Sequence, residues 1–205
     1  KIVLIFDECT SGFRESFGGL HLKYKVYPDM CILGKALGNG FPITTILGKR
    51  DIMENAQTSF ISSTFWTERS GYVAALKTLE IMENTKSWEI ITRQGKKIKK
   101  MINNIAKDNN ISLNISGLDA CPSYSINSKK WQEYKTFITQ ELLREKILGA
   151  NTTYTSICHN DHTIKKYQNK LNKIFTIIKK IQDSGDDVNS YLKGPISHSG
   201  FKRLN

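Results

Sequence analysis

The apolar positions in the first third of the chain fall into short runs that are separated by glycine-containing turns. Short apolar runs between turn residues are typical of β-strands, and a run without polar alternation indicates a strand that is buried on both faces. Strands of this kind form mostly parallel sheets covered by helices, so the pattern predicts an α/β sheet. The predicted strands are Ile2–Phe6, Met30–Leu33, Ile43–Leu47 and Phe60–Ser63.

The spacing of the apolar residues becomes helical after Glu68. Val73, Leu76, Leu79 and Met82 recur at a spacing that places them on one stripe of a helix, and such a stripe usually packs into a core. A second helical stretch follows directly. The pattern therefore predicts helices over residues 68–83 and 88–107.

After Asn110 the pattern changes to short alternating segments around Gly117 and Pro122, followed by two long amphipathic stretches. We predict an α+β unit with strands over 111–115, 124–126 and 153–157 and helices over 131–146 and 162–182. The chain is thus expected to contain two domains. The first covers residues 1–108 and ends in a connecting helix, and the second covers residues 109–205 and ends in a polar tail from Asp183 on the surface.

Size and charge narrow the class of protein. The chain has 205 residues, which is enough for one or two domains with a core. No apolar run approaches the roughly 18 residues that cross a bilayer, so we expect no membrane partner. The net charge of +11 could indicate nucleic-acid binding, but the lysines alternate with isoleucine at helical spacing, which is typical of solvated helix faces. We therefore expect no nucleic-acid partner.

The cysteines are widely spaced in a chain that is too large to need disulfide staples, which favours reduced thiols in the cytoplasm. They are Cys9, Cys31, Cys121 and Cys158. Cys158 precedes His159 and His162, but no second cysteine pair stands at zinc spacing. The sequence therefore predicts no metal site. The chain also begins directly on an apolar strand without a preceding cap, turn or initiator Met, so we expect further residues to precede it.

The strongest chemical signal is an acidic pair at the end of the first predicted strand and a lysine after the second. Asp7 and Glu8 end one strand, and Lys35 follows the other within a glycine-rich turn. Because the carboxyl ends of parallel strands meet at one edge of a sheet, Asp7 and Lys35 could lie together there. A carboxylate keeps a pyridine nitrogen protonated, and a lysine amine can form a Schiff base with a cofactor aldehyde.

Two other interpretations fit the same residues. In the first, Asp7 caps a turn and Lys35 is a surface lysine. In the second, the strand is a Walker B strand of a nucleotide hydrolase, with Asp7 on magnesium and Glu8 as the base. That interpretation needs a phosphate-binding loop that ends in Gly-Lys-Ser/Thr, and none of the three Gly-Lys pairs of the chain is followed by Ser or Thr.

Three ordered segments resemble the class III aminotransferases. Residues 6–14 read F-D-E-C-T-S-G-F-R, where the family has F-D-E-V-x-T-G-F-R. Residues 27–43 resemble the family's P-D-x-x-x-x-G-K-x-x-G-x-G-x-P block, in which the lysine bears the cofactor. Residues 62–65 and the following helix resemble the segment that binds the cofactor phosphate. Within the family, the glutamate-1-semialdehyde aminomutase branch looks most similar.

The resemblance implies a role for four residues. Lys35 would form the Schiff base with pyridoxal 5'-phosphate, and Asp7 would pair with its pyridine nitrogen. Thr64 would donate to the phosphate from the neighbouring subunit of a homodimer with shared active sites. Cys9 stands where the family usually has Val or Ile packed on the ring, and a small thiol can serve there. Glu8 and Arg14 match the motif and are expected to be structural.

The resemblance further implies a fold and a reaction. The fold would be the C-terminal part of the large domain of a fold-type-I enzyme, followed by a small α+β domain. The reaction would be amino-group transfer between an amino donor and a carbonyl substrate, or an aminomutase reaction. The family's phosphate loop and ring-stacking aromatic residue precede the Asp-Glu strand and are not in this chain, so activity is expected to need a further N-terminal half. The alternative is a non-catalytic fragment or interaction subunit of such an enzyme.

Overall fold

The computed structural model describes residues 2–200 and divides them into two units. The first unit ends at Thr92 and the second begins at Arg93. This division falls inside a helix, α4 (Ser87–Asp108), so that the helix contributes residues to both units. The domain boundary predicted after residue 108 stays a prediction.

The first unit contains a three-stranded sheet in the order β1-β2-β3. Its strands are β1 (Ile5–Glu8), β2 (Met30–Leu33) and β3 (Thr45–Gly48). The pair β1–β2 is parallel and places Asp7 opposite Ile32, whereas β3 runs antiparallel to β2. The predicted α/β sheet is confirmed. Strand direction is not encoded in the apolar pattern, and the antiparallel β3 comes from the short connection after β2.

Helices of the first unit follow or precede these strands. They are α1 (His21–Tyr24), α2 (Arg50–Met53), α3 (Arg69–Thr85) and the start of α4, with 3-10 turns at Lys35–Leu37 and Glu54–Thr58. The helices predicted over 68–83 and 88–107 are confirmed to within two residues. A small core holds the unit together, and its buried members are Phe13, Cys31, Leu33, Leu37 and Ala75.

Two predictions for the first unit are wrong. The strand at the start of the chain was expected to be buried on both faces, but Val3 and Leu4 are 40% and 45% exposed and Ile5 is 52% exposed. The reason is that the described core of this unit does not include Val3, Leu4 or Ile5, and that β1 is an edge strand, paired only with β2 among the described strands. The segment Phe60–Ser63 is not a strand: none of the described strands pairs with it, and Phe60 is 96% exposed.

The second unit has its own, larger core. The antiparallel pair β4 (Leu113–Ser116) and β5 (Ser123–Ile126) packs with α5 (Trp131–Arg144), α6 (Asp161–Ser184) and the end of α4. The predicted α+β composition is therefore confirmed. Its most deeply buried side chains include Ile98, Ile102, Tyr124, Ile138, Leu142, Leu171, Phe175 and Ile178.

The strand predicted over 153–157 is wrong, although the segment does lie beside β5. The N–H groups of Thr153 and Thr155 donate to the carbonyl groups of Pro122 and Ala120, at 2.9 and 3.1 Å. Pro122 has no N–H to donate in return, so a complete ladder cannot form. A single antiparallel bridge at Ser123 and Thr152 is what remains.

The segment after α6, which the sequence predicts to be a polar tail on the surface, contains regular structure and a buried side chain. Val188 begins a 3-10 turn, Val188–Tyr191, and its side chain is fully buried. Further on, Ser197 accepts a hydrogen bond from Gln132 and donates its N–H to Thr136 on α5. The last part of the predicted tail, 201–205, lies outside the described residues. Over residues 2–200, none of the helices combines the length and the apolar character that a membrane span needs.

Gly95 gives a test of this packing, because it lies in the middle of α4. A Cβ at Gly95 would overlap the carbonyl group of Asp119. Glycine to alanine in a helix normally stabilises by up to about 1 kcal/mol. Here we expect Gly95→Ala to lower the free energy of unfolding by about 1–3 kcal/mol, since backbone must move to admit the methyl group. Urea unfolding measures the change.

Gly194 is the matched control. No atom lies within 4 Å of a Cβ built there, and its φ is not in the left-handed region. Gly194→Ala should leave the unfolding midpoint unchanged. Equal midpoints for Gly95→Ala and the unmodified chain would contradict the close approach of α4 to Asp119.

Candidate functional site

The candidate site lies at the carboxyl end of the parallel strands β1 and β2. Asp7 is the second-to-last residue of β1, and Lys35 follows the end of β2 by two residues. The Lys35 Nζ donates a hydrogen bond of 2.7 Å to the hydroxyl of Thr10, and its charge contributes to lowering the pKa of Asp7. The structure thus brings Lys35 and Asp7 to the same edge of the sheet. Together with Thr10, these two residues form the candidate site.

The backbone around Lys35 is specialised. Lys35 has a backbone φ of 42°. This value lies in the left-handed region, which residues other than glycine adopt only at a cost in conformational energy. It begins the 3-10 turn Lys35–Leu37, which is closed by a hydrogen bond of 3.0 Å from the Leu37 N–H to the Gly34 carbonyl. Leu33 and Leu37 on either side are buried. Burial of the flanking leucines anchors the turn and leaves the lysine side chain exposed.

Asp7 has a local partner in addition to Lys35. Its Oδ1 accepts the backbone N–H of Cys9 at 3.0 Å. The pKa of Asp7 is lowered from its ordinary value, first by the Cys9 backbone hydrogen bond, then by the Cys9 side chain and Lys35. The turn-capping role considered for Asp7 is therefore present in the structure. A role towards a cofactor stays a prediction, and the ionised, exposed carboxylate is chemically suited to it.

Cys9 lies between the two strand ends. It is half-buried, and a Cβ at Gly34 would be 3.4 Å from its Sγ. Burial, together with the Asp7 carboxylate, raises the pKa of the Cys9 thiol. Cys9 is consequently a neutral, packing thiol at neutral pH, which suits the predicted apolar contact with a ring. That contact is not tested by the structure.

Thr64 is in a different place. It belongs to an exposed turn before α3, in which the Trp66 N–H donates to the Ser63 carbonyl at 3.2 Å. Within the described residues, no hydrogen bond connects Thr64 with Asp7, Thr10 or Lys35. Within one chain, Thr64 is therefore not hydrogen-bonded to the site formed by Asp7, Thr10 and Lys35. The role of Thr64 across a dimer interface stays a prediction.

Sequence reasoning missed Thr10. It occupies the variable position of the matched F-D-E-V-x-T-G-F-R string, so the motif gives it no role. A hydroxyl three residues after the strand-end Asp7 was the available signal. Only the fold of the turn reveals that it accepts from Lys35.

Glu8 points to the opposite side of β1 from Asp7 and is 4% exposed. Its carboxylate accepts the backbone N–H groups of Leu20 and His21 and the Ser11 hydroxyl, and it forms an ion pair of 2.7 Å with His21 Nδ1. Burial raises the pKa of Glu8, but the hydrogen bonds from His21 and Leu20 and the His21 charge lower it by more. These contacts agree with the structural role expected for Glu8.

Comparison with known proteins identifies relatives of the chain. The model of the family "Aminotransferase class-III" matches residues 1–180. A 3-aminobutyryl-CoA aminotransferase from Cloacimonas acidaminovorans is 30% identical over 185 residues, which are 87% of this chain and 45% of that protein. A glutamate-1-semialdehyde 2,1-aminomutase from Saccharolobus islandicus is 31% identical over 189 residues, 84% of this chain and 44% of that protein.

Solved structures share the fold. The internal aldimine form of the FumI protein of Sphingopyxis sp. MTA144 superposes with a TM-score of 0.81 at 19% identity, over 89% of this chain and 44% of that one. The ornithine aminotransferase of Toxoplasma gondii gives a TM-score of 0.75, again at 19% identity, over 89% and 45% of the two chains. The predicted fold class, part of a fold-type-I enzyme, is confirmed. The chain spans less than half the length of these relatives.

The Glu8 network predicts a pH-dependent stability. Because the folded-state pKa of Glu8 is lowered from 4.5, its contribution is present above that value and is lost as the pH falls through the lower folded-state pKa. We expect Glu8→Gln to reduce the free energy of unfolding by about 1–3 kcal/mol at neutral pH. The difference from the unmodified chain should shrink as the pH falls below about 4. Denaturant unfolding at several pH values measures it.

Glu80→Gln is the control, since Glu80 forms an exposed pair with Lys77 on α3. Its effect should be small at every pH, as is usual for surface pairs. A Glu8→Gln difference that does not change with pH would mean that the charge of Glu8 has no role in the network.

Proposed function

Because the chain belongs to the class III aminotransferases, we propose that Lys35 binds pyridoxal 5'-phosphate covalently and serves amino-group transfer between an amino donor and a carbonyl substrate. The observation that carries the proposal is the position of the Lys35 amine and the Asp7 carboxylate at one edge of the sheet. When bound, the cofactor supplies an electron-withdrawing ring that makes a substrate C–H bond acidic.

The residues present fit such a group. The Lys35 side chain is exposed, so its amine can reach an aldehyde outside the sheet. The exposed Asp7 carboxylate is held ionised and can accept a hydrogen bond from a protonated ring nitrogen. Thr10 holds the Lys35 amine at 2.7 Å and orients it. The Lys35 amine would also move the proton at the substrate carbon, as general base and general acid.

Cys9 and Thr64 take supporting roles in the proposal. The half-buried, neutral Cys9 thiol would contact the cofactor ring. Thr64, which is exposed in its turn, would donate a hydrogen bond to the phosphate of the cofactor bound in a neighbouring subunit. That role would make the active enzyme a homodimer. We propose the cytoplasm as the location of the enzyme. The relatives include an aminotransferase and an aminomutase, so both reactions remain open for this chain.

Activity also requires the part of the family domain that this chain does not span. The chain matches about 45% of its aminotransferase relative, and Leu4 and Ile5, which precede and begin β1, are about half exposed. An edge strand with apolar side chains is a surface that another polypeptide segment usually covers. The remainder of the domain is the segment proposed to cover it.

The same exposed surface favours a second candidate function, a non-catalytic interaction subunit of such an enzyme. In that case β1 would bind another polypeptide, and Lys35 would have no cofactor. Covalent labelling of Lys35 separates the two functions, because only the first needs a reactive amine at that position.

Labelling of Lys35 is the central prediction. After incubation with stoichiometric pyridoxal 5'-phosphate, borohydride reduction and peptide mapping, we expect the label chiefly on the peptide that contains Lys35. Lys35→Ala should remove this label. Lys77→Ala, which changes an exposed lysine on α3, should retain it. A label spread evenly over the exposed lysines would support the interaction subunit instead.

Asp7→Asn tests the electrostatic role. The substitution removes the charge and keeps the shape, so the ring nitrogen loses the carboxylate that keeps it protonated. In the enzyme reconstituted with the rest of the family domain, we expect labelling at Lys35 to persist while turnover falls by about a hundredfold or more. Asp183→Asn, in an exposed pair with Lys179, is the control. Turnover close to that of the control would leave Asp7 as a turn cap alone.

A further inference from the structure

Three metal-ligating side chains come together on the side of β1 that faces away from Asp7. They are Glu8 at the end of β1, His21 at the start of α1 and Cys31 in β2. One ligand atom from each lies within 4.8 Å of the other two. Glu8 and Cys31 are buried, and His21 is half-buried. None of the three takes part in the proposed chemistry of Lys35.

The combination of ligands is selective. A thiolate, an imidazole and a carboxylate are the set that Zn²⁺ takes in proteins, whereas Mg²⁺ and Ca²⁺ prefer oxygen ligands alone. Tetrahedral zinc, with bonds of about 2.0–2.3 Å, holds its ligand atoms roughly 3.3–3.6 Å apart. The 2.7 Å between Glu8 and His21 and the 4.8 Å limit of the cluster lie on either side of this range. Side-chain shifts of about 1 Å would therefore form the site.

The surroundings hold two of the ligands in place. The Leu20 and His21 N–H groups and the Ser11 hydroxyl donate to the Glu8 carboxylate, as hydrogen bonds around metal ligands commonly do. Gly19 packs directly against the pair. A Cβ at Gly19 would overlap the imidazole of His21 and lie 3.0 Å from Glu8 Oε1, so the backbone encloses this side of the cluster.

The other side of the cluster is accessible. A cleft of about 430 Å³ is lined by Glu8, Ser11 and His21, and it extends past the edge of β1 to Ile5 and Asp7. It gives a cation a path to two of the ligands and leaves room for a water molecule as fourth ligand. Three protein ligands and one open position form a common arrangement for zinc.

We propose that Glu8, His21 and Cys31 bind one Zn²⁺ ion, which ties the ends of β1 and β2 to the segment that begins α1. In the metal-free protein the Glu8–His21 ion pair occupies the same place. The ion replaces that pair, and both the Nδ1 proton of His21 and the thiol proton of Cys31 pass to solvent, since a metal binds a deprotonated imidazole nitrogen and a thiolate. The inference does not depend on the function proposed for Lys35.

The test uses Co²⁺ as a spectroscopic probe and Zn²⁺ as competitor, on the full chain after treatment with a chelator. We expect one equivalent of Co²⁺ to bind with a thiolate-to-cobalt absorption band, and Zn²⁺ to displace it. Cys31→Ser should abolish the band and weaken binding by at least about tenfold. His21→Gln should weaken binding while circular dichroism confirms that the variant folds.

The control is Cys158→Ser, because Cys158 is exposed and is followed by His159, so that it could bind a cation adventitiously. Binding and the thiolate band should be unchanged in this variant. Lys35→Ala should also bind Co²⁺ normally, which separates the result from cofactor binding. Loss of the band in Cys158→Ser, its persistence in Cys31→Ser, or no saturation at one equivalent would each overturn the proposal.

Discussion

The parallel pairing of β1 with β2 is the constraint on which the first unit depends. It sets Asp7 beside Ile32 in the register, and it brings the turn that carries Lys35 to the end of β1. Side chains alternate across a strand, so the adjacent carboxylates of Asp7 and Glu8 face opposite sides of the sheet. Asp7 and Glu8, although adjacent in the sequence, consequently lie in two different environments. One carboxylate is exposed beside an amine, and the other is buried among backbone N–H groups.

This separation gives the two carboxylates distinct chemistry. Asp7 is exposed, and its lowered pKa keeps its carboxylate ionised at neutral pH. Glu8 is buried, and the hydrogen bonds to its carboxylate offset the cost of desolvating its charge. It holds the segment from Leu20 onwards against β1. The proposed zinc ion would act at this same junction, so both proposals rest on the same strand pair but on opposite faces of it.

The two units differ in how completely they bury their apolar residues. The second unit surrounds Phe175 and Tyr124 with a continuous core, whereas the first leaves much of β1 and the segment near Phe60 exposed. Together with a length of less than half that of the relatives, this exposure supports a first unit that is completed by further polypeptide.

The sequence by itself determined the family, the α/β and α+β composition, and the bounds of β2, α3 and α4 to within two residues. These features depend on local periodicity and on a motif of adjacent residues, which a chain displays directly. The sequence failed for residues 153–157, where Pro122 in a distant segment withholds a hydrogen bond, and for the burial of β1, which depends on what packs over its faces. Only the tertiary structure brought Thr10 to Lys35 and grouped Glu8, His21 and Cys31, because pairing between distant segments, rather than spacing along the chain, places these side chains together.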